Sequence, residues 1–199
     1  LRGVDRILIN GAEQPGVGIG VVRDLITLSR VSGTAISDFS LIRQARWRDA
    51  VASAFDEPEV APYLHAITKI RATYSAGSSI TAPANVVKPT YHLAWLASRL
   101  NARVTAPLEN QGGTWSAAID EEGRRIALTL EPVLDAGRSG TTLALHITAE
   151  RRGGVLELSV RADGESTHVR ASINGTPVHE RTLRAKRATD AELLSQALE

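Results

Sequence analysis

The segment NGAEQPGVGIGVVRDL, Asn10 to Leu25, sets glycines at 16, 18 and 20 between an apolar run, RILI, and a helix-like pattern. Glycines so placed can cradle a phosphate, because backbone N–H groups at a helix start attract anions. A dinucleotide fingerprint needs G-x-G-x-x-G, its third glycine allowing close helix–strand packing. Val21 stands at that third position, and no Gly-Lys-Ser/Thr triplet of a P-loop occurs. Asp38 meets the requirement for a downstream ribose-binding acid by distance alone. A permissive loop entering a helix accounts for these glycines, and no cofactor is expected.

Other reactive residues are equally scattered. His65, His92, His146, His168 and His179 show no metal-ligand spacing with one another or with acids, and H-E-x-x-H is absent. There is no cysteine, so a thiol nucleophile, a Cys-based metal site and a disulfide are all excluded. AGSSI is not the G-x-S-x-G of a nucleophile elbow. Asn174-Gly175-Thr176 matches a glycosylation sequon but reads as a turn. The acids at 120–122 fall in another predicted turn, where solvation explains them. Nothing assembles nucleophile, base and oxyanion donor, so neither catalysis nor a metal is expected.

Net charge is +1, but the charge is uneven: from Arg151 to Arg187 there are eight Arg or Lys against four Asp or Glu. Arg161 and Arg170 fall on the polar side of two strands joined by an Asp-Gly turn, and RTLRAKR extends that face. A sheet binding single-stranded nucleic acid interleaves aromatics with its cations. No Phe, Tyr or Trp follows Trp115. A solvated face, or docking to an acidic protein surface, is therefore expected rather than nucleic acid. No apolar run approaches the ~18 residues of a membrane span, and no signal peptide is evident. The opening LRGVDRILIN reads as that of a fragment, and abundant alanine and arginine with scarce lysine suggest a GC-rich bacterial source.

The elements that must position these residues divide into a helical first half and a β second half. GVVRDLITLSR places Val21, Val22, Leu25, Ile26 and Leu28 on a broad apolar helix face. In SDFSLIRQARWRDAVASAFDEP, Trp47, Val51, Ala54 and Phe55 recur at helical spacing until Pro58. HAITKIRATYS alternates as a strand and is expected to open or edge a sheet. KPTYHLAWLASRLN reads as a helix with Pro89 in its first turn and a stripe of Leu93, Leu96, Ala97 and Leu100. From Trp115 the period becomes two, with Ile126, Leu128 and Leu130, then Leu143, Leu145 and Ile147, then Leu156, Leu158 and Val160 on common sides. DGES and INGT are hairpin turns, since Asp-Gly and Asn-Gly tolerate positive φ. A capping box, Thr189 and Glu192, starts a last short helix. The expected fold is α+β, an antiparallel meander with one face covered by helices.

Two stretches, SDFSLIRQARWRDAVASAFD and YHLAWLASRL, resemble the C-terminal domain of the OpcA family, the glucose-6-phosphate dehydrogenase assembly proteins of cyanobacteria and actinobacteria. The family motif, close to D-L-S/N-W-x-R-L-x-x-W-R, is matched by Asp38, Ser40, Arg43, Trp47 and Arg48, with Leu41 where tryptophan is usual. A second motif, G-W-L-A-S-R-L, is matched from Trp95 to Leu100, including Arg99, with Ala94 replacing glycine. The resemblance implies that residues 1–36 end a separate α/β domain and that 37–199 form the OpcA-like domain. It makes GAEQPGVGIG a variable loop instead of a cofactor site. It also implies a non-catalytic, cytoplasmic factor that binds glucose-6-phosphate dehydrogenase and promotes its active oligomer in the oxidative pentose phosphate pathway. Thioredoxin control through cysteines cannot carry over. Trp47, Arg48, Trp95 and Arg99 are the residue types that dominate interfaces, although the tryptophans could equally brace helices onto the sheet and the arginines pair with Asp38 or Asp49. The alternative is a sugar-phosphate sensor in which Arg43, Arg48 and Arg99 gather in one pocket, since arginine holds phosphate through paired bonds.

Overall fold

The computed structural model describes residues 4–80, 82–184 and 188–198. It opens with a β-α-β unit: β1 (Arg6–Ile9), α1 (Ile19–Ser32) and β2 (Ala35–Asp38), the strands parallel with Arg6 opposite Ala35 and Ile9 opposite Asp38. Next come α2 (Phe39–Ile42) and α3 (Ala45–Phe55), so the stretch around Trp47 is two helices and not one. A short 3-10 stretch, Ala61–Ala66, leads into β3 (Ile67–Ser75), followed by α4 (Val87–Arg99). The strands β4 (Arg103–Gln111), β5 (Thr114–Glu121), β6 (Arg124–Val133), β7 (Thr142–Arg151), β8 (Gly154–Asp163), β9 (Ser166–Ile173) and β10 (Thr176–Arg184) precede α5 (Asp190–Leu198).

Eight strands form one sheet in the order β10-β9-β8-β7-β3-β6-β5-β4. The fold is α+β as expected, but β3 neither opens nor edges the sheet. It lies inside it, antiparallel to β7 and parallel to β6. The chain leaves β3 through α4, β4 and β5 before β6 returns in the same direction, the long crossover a parallel pair demands. Lys69, Arg71 and Thr73 make β3 look marginal because alternation reports that one face is open, whatever the strand's lateral position. The strand at the far edge, β4, has no clear period in the sequence. Its pairing with β5 shifts register twice, between Val104 and Ala106 and again before Glu109, and it contains Pro107, which an edge strand tolerates.

Among the described residues helices cover one face: α3 packs on β8 and β9, and α4 on β3 and β6. Between the layers Val51, Ala54, Leu93 and Leu96 bury against Ile70, Leu128, Leu130, Leu145, Ile147, Leu158 and Val160. Asn174 and Gly175 take the positive φ expected at their turn, and Thr189 and Glu192 close the capping box reciprocally. By contrast, α1 buries only Val22 among its described residues, leaving Val21, Ile26, Leu28 and Val31 exposed. Helix α5 buries Leu193 and Ala197, and the Ala197 carbonyl accepts from Ser37 Oγ at 3.1 Å and from Arg6. Of RTLRAKR, Arg181–Arg184 lie in β10, while Ala185, Lys186 and Arg187 lie outside the described residues.

Candidate functional site

Asp38 ends β2 and caps α2. Its Oδ1 accepts from the backbone N–H groups of Ser40 (2.7 Å) and Gly11 (3.1 Å), and its Oδ2 accepts from the Tyr91 hydroxyl at 2.6 Å. Burial, and then the bond to Asp38, push the Tyr91 phenol well above its ordinary range. The glycine-bearing loop is tied down from the same side. Asn85 Nδ2 donates to the carbonyls of Gly11 and Gln14 at 2.9 Å each, and Ala12 N–H donates to Ser40 Oγ at 2.8 Å. A Cβ on Gly11 would sit 2.5 Å from Asp38 Oδ2, and one on Gly18 2.5 Å from Asn85 Nδ2. These two glycines make room for protein side chains.

Trp47 is buried in the core between α3 and α4, the bracing position. Its ring meets that of His92, with centroids 4.9 Å apart and planes tilted by 52°. His92 is fully buried, and its Nε2 has no hydrogen-bond partner among the described residues. Burial, and then the charge of Arg48, push this imidazole down to about 3, so it is neutral in the folded protein. No motif or metal-ligand spacing marks His92, although it stands one turn before Leu96 and two before Leu100 on the stripe of α4. Trp95 is half-buried and packs against the edge of the same core.

The motif arginines part company. Arg43 Nη2 pairs with Asp190 Oδ1 of α5 at 2.7 Å, and Asp38 takes no arginine partner among the described residues. Arg48 Nη1 donates to the Leu41 carbonyl at 2.9 Å. Burial lowers the Arg48 pKa, neighbouring Asp49 opposes that, and the charge of Arg99 lowers it further. Arg48 of α3 thus feels the charge of exposed Arg99 at the end of α4, less strongly than that of Asp49, and its guanidinium reaches the backbone of Leu41, a residue that keeps 37% exposure. Two surface grooves lie elsewhere. One of about 360 Å³ is lined by Pro58, Tyr63 and Arg151, and one of about 530 Å³ by Gly77, Leu134 and Asp135; neither includes Arg43, Arg48 or Arg99.

Arg161 and Arg170 do share the open face of the sheet, on adjacent strands. Arg161 stands opposite His168 on β9 and Ala144 on β7; Arg170 stands opposite Ser159 on β8 and Glu180 on β10. Nearer the centre, Arg71 pairs with Glu131 at 3.5 Å. His146 lies among them and is half-buried rather than freely solvated. Burial, then Arg71 and Arg161, hold its pKa below the ordinary histidine value, against a smaller opposing pull from Glu131. The face is thus of mixed charge, with its basic side on β8 and β9.

Residues 34–199 match the family model for the C-terminal domain of the glucose-6-phosphate dehydrogenase subunit. No curated protein matches the chain. Among solved structures, it is similar to a dehydrogenase (MviM) from Clostridium difficile, with 12% identity and a TM-score of 0.43 over 96% of this chain and 58% of that one. An oxidoreductase from Pseudomonas syringae gives 13% and 0.45 over 90% and 49%. The transcriptional regulator Gal80p from Kluyveromyces lactis gives 8% and 0.45 over 98% and 55%. The chain thus spans about half the length of these solved proteins.

Proposed function

The chain belongs to the family defined by the C-terminal domain of the glucose-6-phosphate dehydrogenase subunit, and from that premise we propose that it is a non-catalytic factor that binds glucose-6-phosphate dehydrogenase. In this reading it acts in the bacterial cytoplasm, promotes the enzyme's active assembly and so supports the oxidative pentose phosphate pathway. The observation that carries a docking role on this chain is the juxtaposition of Arg48 and Arg99 from two different helices, next to exposed Leu41. At Arg48 the pull of Asp49 outweighs the repulsion from Arg99, so the charge left for an acidic surface to meet is that of exposed Arg99. Arginine beside an exposed apolar side chain is also the composition that anchors interfaces. Trp47 then acts from behind, fixing the helices that carry the arginines.

A pull-down with the cognate dehydrogenase, followed by titration of its activity, tests this reading. Stoichiometric capture and a rise in dehydrogenase rate are expected. Absence of both, with folded protein, overturns it. The sugar-phosphate alternative lacks a similar observation, because Arg43 is engaged by Asp190 and the three arginines do not converge on either groove.

A further inference from the structure

The helices leave the second face of the eight-stranded sheet uncovered by any described element. Residues directly paired across strands share a face, so the register maps this one. Outward from the seam between β7 and β3, one row runs Ala144 then Arg161 on one side, and Thr73 then Glu131 on the other. The next row runs His146 then Ser159, and Arg71 then Thr129. A third runs Thr148 then Glu157, and Lys69 then Ala127.

A twofold axis along that seam, in the plane of contact, places each residue over its counterpart an equal number of strands across. Arg161 of one copy then meets Glu131 of the other, twice over. His146 meets Arg71, Ser159 meets Thr129, Thr148 meets Lys69 and Glu157 meets Ala127. Across these four inner strands no like charges oppose one another while His146 is neutral, the form its surroundings favour; at the outer strands the same operation sets Glu109 of β4 over Glu180 of β10, beside Arg170. Arg161 is exposed, and the Glu131 side chain keeps 36% exposure beside its long contact with Arg71. Short side chains at Ser159, Thr129 and Ala127 allow a second sheet to approach to the usual ~10 Å. Eight strands about 4.8 Å apart and about 30 Å long offer roughly 1,000 Å² per copy, above the ~800 Å² that a stable interface buries on each partner.

We propose that this face binds a second copy of the chain, sheet against sheet, with Arg161 of each copy paired to Glu131 of the other. Such self-complementarity is what a twofold interface requires. The pairing is independent of dehydrogenase binding and leaves Arg48 and Arg99, on the helical side, open to that partner.

Sedimentation velocity of the chain alone, from about 1 to 100 µM, tests the proposal. A dimer is expected. Arg161→Glu and Glu131→Arg should each weaken it about tenfold, and the double swap should restore it to within about threefold. Ala127→Glu sets an acid opposite Glu157 at an exposed site and should weaken the dimer similarly, even if a reversal at Glu131 perturbs folding. Monomer throughout the range overturns the proposal, as does a charge swap that fails to rescue. A monomeric chain whose Arg161→Glu variant loses the dehydrogenase would instead assign the face to that partner.

Discussion

Trp47 and His92 close the contact between α3 and α4, their ring centroids 4.9 Å apart. The two rings share one apolar pocket, yet only His92 can acquire a charge there. Stability is therefore linked to protonation. The folded-state pKa lies near 3 and the ordinary value is 6.5, so unfolding takes up a proton between these limits. The contribution is fully present above pH 6.5 and is lost as pH falls toward 3, at up to ~1.4 kcal/mol per pH unit. His92→Phe keeps a ring against Trp47 and removes the orphaned Nε2. Urea unfolding at pH 7.5, 5.5 and 4.5 should show a shallower loss in the variant than in wild type. Parallel curves would remove His92 from the acid response.

Asp38 joins three segments through one carboxylate. Asp38→Ala removes the α2 cap and the acceptors of Gly11 N–H and the Tyr91 hydroxyl, and should cost about 2 kcal/mol or more. Tyr91→Phe should cost about 1 kcal/mol. Because the two share a bond, the double variant should lose less than the sum, a coupling of about 0.5 kcal/mol or more. Additive losses in denaturant unfolding would contradict the 2.6 Å contact as a stabilising one.

Arg99→Glu, alone and with Arg48→Gln, tests the docking surface. Arg99 is exposed, so the melting temperature should move little. Affinity for the dehydrogenase should fall about tenfold, and its dependence on salt should flatten as the attraction is removed. Binding unchanged at low ionic strength would move the docking surface away from the ends of α3 and α4.

Gly140 has φ +81, and a Cβ there would collide with the Asn85 carbonyl oxygen. Gly123 has φ +87 with open space around it. Alanine should therefore cost about 1 kcal/mol at Gly123, from the left-handed backbone alone, and more at Gly140, where backbone must also shift. Equal midpoints for the two variants in thermal unfolding would mean that the close approach to Asn85 is not required.

Much of the layer architecture is local and therefore legible in the sequence. Period-two runs such as Leu128-Leu130 and Leu156-Leu158-Val160 must present one apolar face, whatever their neighbours. The Asn174-Gly175 turn and the Thr189–Glu192 box depend on backbone conformations a few residues long. The Asp38, Trp47 and Trp95 segments stand out through their resemblance to the OpcA family motifs. Tertiary structure decided what such local rules do not contain. Strand alternation on β3 is the same in the interior as at an edge, so only the α4-β4-β5 crossover set its place. The apolar stripe of α1 satisfies helical periodicity, yet how much of it is buried depends on what packs against it. Asp38 meets Gly11 and Tyr91 instead of an arginine because β2, the loop and α4 converge there. Likewise His92 carries the same side chain as any surface histidine; its neutrality comes from the helix face that closes over it, because burial penalises charge in proportion to the water removed.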